Sequence, residues 1–281
     1  MFISIKLSLY FRMIYFIVAL LPEAKPLIKN LKLTLLRQTP FQIYGDEDSK
    51  LIITGIGKEN ALMATTHLLT HYSPMSSDIL VNFGLAGAHK NFEIGEMILA
   101  HTLINAATNK KFYPDMRLSH PYKEVKLTTL SEVQTTPDPD VEVVDMEAYS
   151  VFQAALMFLK SSQLLTLKII SDHFSAVIPD KEQVDRWITP HLELLMALLK
   201  NYQEQLPKKL YYSQTLQDEI DKTTALLKLT NSQINQLQDQ VKGYILRHGH
   251  EPLFPKHLSG FTQHKKEKKD AFIKLIDLLA L

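Results

Sequence analysis

The sequence predicts an α/β fold: a central mixed β-sheet flanked by helices, followed by a helical C-terminal extension. Three observations carry that expectation. Short apolar runs, among them MIYFIVAL, KLIITG, DILVNF and LLTLKIIS, recur along residues 13–204. Amphipathic segments of helical spacing lie between them, and this alternation builds a sheet covered by helices. Beyond about residue 208 the pattern changes to a seven-residue repeat without strands.

Taken in order, residues 13–20 read as a buried first strand, and LPEAKPLIKNLK as a helix with Pro22 and Glu23 in its favoured first turn. LKLTLLR, FQIY and KLIITG are expected strands, the last broken by GIGKEN before the helical pattern ALMATTHLLTHY. DILVNF is a strand ended by GLAGA, and EMILAHTLI is a further strand. Residues 105–140 hold four prolines and weak periodicity, so loop is expected, with one strand near 125–130. VEVV, a helix from Met146, the strand LLTLKIIS and a last helix near 181–204 complete a domain spanning 13–204.

Residues 1–12 form an extension of no assigned role. The opening MFISIKLSLYFRMIYFIVALL is interrupted by Lys6 and Arg12. No uninterrupted apolar run reaches the ~18–20 residues that span a bilayer. A small-residue cleavage site after a basic start is also missing, so neither a membrane span nor a signal peptide is expected. With 281 residues, 46% hydrophobic and 22% charged, the chain reads as globular, and a net charge of +1 argues against a nucleic-acid partner. It has no cysteine, which excludes disulfides, thiolate nucleophiles and cysteine zinc sites and suits the cytoplasm.

In residues 208–281, Ile220, Leu227, Ile234 and Val241 repeat every seven positions, with Leu216, Leu237 and Tyr244 between them and Thr223 and Thr230 weakening the second seam. That stripe predicts one continuous coiled-coil-like helix. Its partner is either the terminal AFIKLIDLLAL or a second subunit. His248, His250 and His257 lack an evident fourth ligand, so no metal is assigned, and the run HKKEKK reads as a solvated loop.

Ligands collect at the carboxyl ends of strands in such folds. That rule singles out Glu23, residues 55–60, residues 84–88, residues 145–147, Ser171 and Asp172. Glu147 shares a helical stripe with Val151, Ala154 and Phe158 and so begins a core face with a carboxylate. Two readings stand side by side for Asp145 and Glu147: helix capping, or a site. Gly55 and Gly57 suit a structural strand–helix turn, because Asn60 occupies the third position of a dinucleotide fingerprint. Gly84, Ala86 and Gly87 let a backbone or a ligand approach closely. Asp172 fits a turn cap or a functional acid equally.

Six motifs then occur in a telling order: ALLPEAKPL, GIGKENA, GLAGA, IGEMILAH, VVDMEA and KIISDHFS. They resemble the nucleoside phosphorylase/nucleosidase superfamily, above all its methylthioadenosine/S-adenosylhomocysteine nucleosidase branch, over about residues 13–199. The resemblance implies cleavage of the N-glycosidic bond of a purine nucleoside, with a 5′ group left unassigned, no cofactor and a homodimer. It implies that Asp172 protonates the departing purine and that Glu147 holds the ribose hydroxyls, with Met146 packed on the sugar. Glu23 would orient or deprotonate the attacking water. Gly84, Ala86, Gly87 and Ser171 would line the substrate pocket.

The chain departs from that family in places. Ala148 and Tyr149 follow the Met-Glu pair, where the family usually has glycine. Residues 108–141 are shorter, without the family's Ser-Gly-Asp purine loop, leaving Phe112, Tyr113 and Phe174 as candidates to stack on the base. Leu21, Pro22 and Glu23 stand where the phosphorylase branch carries an arginine-bearing phosphate loop, which favours water as nucleophile. The alternatives are a phosphate-dependent phosphorylase, and a non-catalytic binding or scaffolding protein that uses its helical tail.

Overall fold

The structure is a computed structural model. It describes residues 13–115, 120–136, 138, 140–175, 179–205, 213–248, 250–254 and 265–280, and the extension over residues 1–12 lies outside them. The chain runs through β1 (Ile14–Val18), α1 (Leu21–Leu31), β2 (Thr34–Arg37), β3 (Gln42–Gly45), β4 (Ser49–Ile53) and α2 (Lys58–Tyr72). Then follow β5 (Ile79–Ala88), β6 (Met97–Asn105), β7 (Lys111–Phe112), β8 (Lys123–Thr129), β9 (Val143–Asp145) and α3 (Ala148–Ala155). β10 (Leu164–Asp172), α4 (Lys181–Ile188) and α5 (Leu192–Gln205) end the α/β part. The described residues divide into two compact units, one within residues 13–205 and the other within residues 213–280.

Alternation along the strands creates the layers. Tyr15 and Ile17 of β1 and Leu80 of β5 join one apolar cluster with Ala61, Leu68, Val151 and Phe152 of α2 and α3. Phe16, Val18, Val81 and Phe83 join the other, with Leu27, Val184 and Leu195 of α1, α4 and α5. A period of two with both faces apolar is what a doubly covered sheet demands. β1 pairs in parallel with β4 and β5, and β5 in parallel with β10. β10 then pairs with β6, β6 with β8, β8 with β9, and β9 returns to the end of β5. The mixed sheet therefore closes into a ring on one side of β5.

That closure explains a difference from the sequence reading. GLAGA does not end the strand; β5 continues to Ala88. Gly87 pairs with Asp172 on one side and Val144 on the other, and a Cβ at Gly87 would lie 3.1 Å from Asp172 Oδ1 and 3.3 Å from Val144 Cγ2. Small residues let three strands meet there. The expected last helix is divided: residues 189–191 form a 3₁₀ turn containing Pro190, which cannot donate a backbone hydrogen bond. The loop over residues 105–140 holds β7 as well as the expected strand, observed as β8.

In the second unit, the expected single helix over the seven-residue repeat is two helices, α6 (Gln214–Leu227) and α7 (Asn231–His248). Lys228 adopts the left-handed conformation; its amide donates to the Ala225 carbonyl and the Leu229 amide to the Thr224 carbonyl, which closes α6. Thr230 and Gln233 then cap α7 reciprocally: the Gln233 amide donates to Thr230 Oγ1 at 3.4 Å and the Thr230 amide to Gln233 Oε1 at 3.0 Å. Leu216, Ile220, Leu227, Leu237, Val241 and Ile245 bury against Ala271, Phe272, Leu275 and Leu279 of α8 (Lys265–Ala280). Ile234 is not part of this cluster. Residues 265–269 belong to the first turns of α8 rather than to a loop. Of the three histidines weighed as ligands, His257 lies outside the described residues. Among the described helices, none is long and apolar enough to cross a membrane.

Candidate active site

The ends of β1, β5, β9 and β10 surround one cleft, and Glu23, Glu147 and Asp172 all line it, together with Ala86, Gly87, Met146 and Ser171. Each acid reaches the cleft for a local reason. Glu23 sits in the first turn of α1, begun by Leu20 and Pro22 directly after β1, and is 6% exposed. Gly84 is not among the cleft-lining residues; it lies beneath Glu23, where a Cβ would meet Glu23 Oε2 at 2.7 Å. Its missing side chain makes room for the carboxylate. Glu147 occupies the residue before α3 without capping that helix through its side chain. Its Oε1 instead accepts the Gly57 amide at 2.8 Å, so the GIG turn, at a φ of 101° open to glycine, holds the acid from across the sheet.

Capping α3 falls to Asp145. It accepts from the Ala148 amide and from Thr129 Oγ1, both at 2.7 Å. Asp145 also forms an ion pair of 3.0 Å with Lys168, whose side chain is 2% exposed. Sequence reasoning missed this lysine, although one cation inside the apolar run LLTLKIIS breaks the pattern of a covered strand. Burial alone would depress the Lys168 ammonium, but Asp145, Glu147 and Glu23 more than offset it and the net direction is upward.

The electrostatics of the two glutamates follow from that crowding. Burial, reinforced by the Glu147 carboxylate, pushes Glu23 up to about 8 against the pull of Lys168. Burial and then the Asp145 carboxylate raise Glu147, opposed by Lys168 and the Gly57 amide. Glu23 Oε2 is buried and has no hydrogen-bond partner among the described residues. A buried carboxylate oxygen without a partner is costly unless a ligand or water meets it.

Asp172 is held differently. The register of β10 against β5 slips between Ile170 and Asp172, a bulge that re-aims the strand end. Ser171 Oγ donates to Asp172 Oδ2 at 2.7 Å and lies 3.2 Å from the Ala86 carbonyl, while the Ser175 amide donates to Asp172 Oδ1 at 2.8 Å. Phe174 turns the chain at a positive φ of 58°. The aromatic candidates for stacking lie elsewhere. Phe112 stacks on Tyr149 with ring centroids 4.7 Å apart, Tyr113 is exposed, and Phe174 is buried. The wall is formed instead by Leu130, Val133 and Gln134 of the loop after β8, and no aromatic residue is among the described lining residues.

The fold matches known structures. A putative 5′-methylthioadenosine/S-adenosylhomocysteine nucleosidase from Francisella philomiragia superposes with a TM-score of 0.56 at 17% identity, covering 67% of this chain and 98% of that one. The fold is the nucleoside phosphorylase/nucleosidase fold. A Helicobacter pylori nucleosidase of the same description, bound to butyl-thio-DADMe-Immucillin-A, gives 0.55 at 14% identity, covering 70% and 99%. One from Colwellia psychrerythraea in complex with adenine gives 0.54 at 20%, covering 72% and 98%. No protein-family model matches the chain, and no curated protein gives a significant match.

Proposed function

We propose that the α/β unit is a purine nucleosidase that hydrolyses the N-glycosidic bond. One observation carries the reading: Glu23, Glu147 and Asp172 converge on one cleft. A purine anion leaves poorly, so bond cleavage needs a proton delivered to the base as the bond stretches. Asp172 supplies it, its carboxyl group oriented by Ser171 and by the Ser175 amide. Glu147, fixed by Gly57, accepts from the ribose hydroxyls, and these hydrogen bonds strengthen as the sugar becomes oxocarbenium-like. Met146 packs against the sugar. Glu23 receives the attacking water at its carboxylate and takes its proton, a role suited to an acid whose affinity for protons has been raised by burial. The neighbours that bind nucleoside-like ligands at the same fold support a purine nucleoside as substrate.

The test is incubation of the full chain with adenosine and with methylthioadenosine, with and without phosphate. Release of free purine and free sugar at a rate indifferent to phosphate is the expected result. Strict dependence on phosphate with formation of a sugar 1-phosphate would move the chain to phosphorolysis, and absence of base release would leave the fold without this activity.

A further inference from the structure

The loop after β8 that walls the cleft is anchored firmly at its start and by a single bond beyond it. Thr129 Oγ1 donates to Asp145, and the Leu130 amide donates to the Asp145 carbonyl at 2.8 Å, so the chain leaves β8 in a fixed direction. Further on, Glu132, Val133 and Gln134 line the cleft, and Val133 is 59% exposed. Gln134 Nε2 donates within the loop, to the Thr136 carbonyl at 2.8 Å. Among the described residues, one hydrogen bond joins residues 131–136 to another element: Lys58 Nζ donates to Ser131 Oγ at 2.6 Å. Neither Lys58 nor Ser131 is among the described lining residues. Lys58 is the first residue of α2 and directly follows Gly57, whose amide donates to Glu147 Oε1 at 2.8 Å. The turn that carries both is braced from within and below. Asn60 Nδ2 donates to the Ile56 carbonyl at 2.8 Å, and the Gly55 amide to the Ala19 carbonyl at 3.0 Å. One braced turn therefore fixes a carboxylate of the cleft and also holds the loop that walls it. A charged donor on a neutral hydroxyl at an exposed place adds little to global stability. A loop already held in its binding geometry, however, spares a ligand the entropy of ordering it, and such preorganisation appears as affinity.

We propose that Lys58 is a positioning residue for the nucleoside: through Ser131 it holds the loop after β8 ready for the ligand, in register with the Glu147 carboxylate that Gly57 fixes. This rests on the nucleosidase reading and adds to it a residue that acts from outside the cleft. The bond is made before the nucleoside arrives and is kept through the reaction. It therefore lowers KM and leaves kcat alone.

Two measurements on the full chain test it: cleavage of adenosine, and calorimetric binding of 9-deazaadenosine, whose carbon–carbon bond to the sugar resists hydrolysis. Lys58→Met keeps the stem and removes the donor, and Ser131→Ala removes the acceptor. Each is expected to raise KM, and the Kd of 9-deazaadenosine, about 3–10-fold, the contribution of one partly exposed hydrogen bond, with kcat within about twofold. The double variant should bind no worse than either single one, since both changes remove the same bond. Lys58→Arg, which keeps a charged donor of similar reach, should recover most of the loss. Thermal midpoints should stay within about 2 °C in every variant. Unchanged KM and Kd in Lys58→Met overturn the proposal, as do losses that add up in the double variant. If adenosine is not cleaved by the parent chain but the binding of 9-deazaadenosine shows the same coupled loss, the nucleosidase reading falls and the positioning role stands. If the parent chain neither cleaves adenosine nor binds 9-deazaadenosine, both fall.

Discussion

Around the cleft of the α/β unit, Lys168, Asp145, Glu23 and Glu147 are buried together, whereas the buried residues described in the helical unit are apolar with the exception of Thr223. Both units follow the hydrophobic period expected of their elements. They differ in where that period is broken. Among the described residues of the helical unit, the buried apolar positions of α6, α7 and α8 form one packed cluster. In the α/β unit, charge is taken out of water at the ends of strands and in the middle of one, at a desolvation cost that only pairing or a ligand offsets. The contrast teaches that chemistry is to be sought where a buried pattern is violated, and stability where it is obeyed.

Asp172→Asn gives the sharpest way to break that contrast. The change keeps the side chain's shape and its contact with Ser171 but removes the transferable proton. Turnover of ordinary purine nucleosides should fall on the order of 10²–10⁴-fold, with substrate still bound and thermal stability little changed. A nucleoside whose base leaves without protonation should escape most of the loss. Near wild-type cleavage of adenosine by the variant would make Asp172 a turn cap and refute the mechanism.

Lys168→Met probes the buried charges from the other side. It leaves Asp145 uncompensated beside two glutamates, which should lower stability by about 3–5 kcal/mol in denaturant titration. Adding Asp145→Asn should return a large part of that loss, since the remaining pair no longer carries an unpaired charge. If the single variant is as stable as the parent, the ion pair of 3.0 Å is not holding the network.

How much of this was legible in the sequence depended on the same distinction. The strands, the helices and the three acids at strand ends announced themselves, because period and position both marked them. Lys168 did not, since a single cation inside LLTLKIIS is easily taken for a lysine reaching water at the end of a strand. The support of Glu147 by Gly57 was not legible either, because 90 residues separate the partners and only the sheet brings them together. In the tail, the seven-residue repeat outweighed a local signal that was present. T-x-x-Q at Thr230 and Gln233 is a helix start, and it sits inside the supposed single helix.

The elevated Glu23 offers a pH test of smaller size. As the base that accepts a proton from water, it acts only when ionised, so kcat/KM should rise about tenfold per pH unit below about 8 and level off above. Glu23→Gln should abolish that rising limb. Stability carries the opposite sign. The folded chain holds this proton up to about 8 and the unfolded chain releases it near 4.5, so Glu23's contribution to stability declines as pH rises through that window. An activity profile flat between pH 6 and about 9 would remove Glu23 from the proton transfer.

The smallest expected effect belongs to the helical unit and asks whether its interruption is built in or incidental. Between Leu227 and Asn231 the chain leaves helical geometry at Lys228, whose left-handed conformation is unfavourable for a residue with a Cβ. Something must favour restarting the helix at Asn231 over running straight through, and the mutual bonds of Thr230 and Gln233 are that something. Thr230→Ala removes the hydroxyl that receives the Gln233 amide, and should cost about 1 kcal/mol of tail stability, the usual worth of such a cap. Alanine is also the strongest helix former, so the variant shifts the balance toward the continuous helix that the seven-residue repeat prescribes. Amide exchange at residues 228–231 reads the two possibilities apart. Faster exchange there with unchanged helix content means a frayed start of α7. Slower exchange with a gain in helix content means that α6 and α7 have fused, and that only the cap kept them separate. Purine release should be the same in either case, because the described residues that line the cleft all belong to the α/β unit. A loss of activity in Thr230→Ala would show that the two units are not as independent in function as they are in the way they bury their residues.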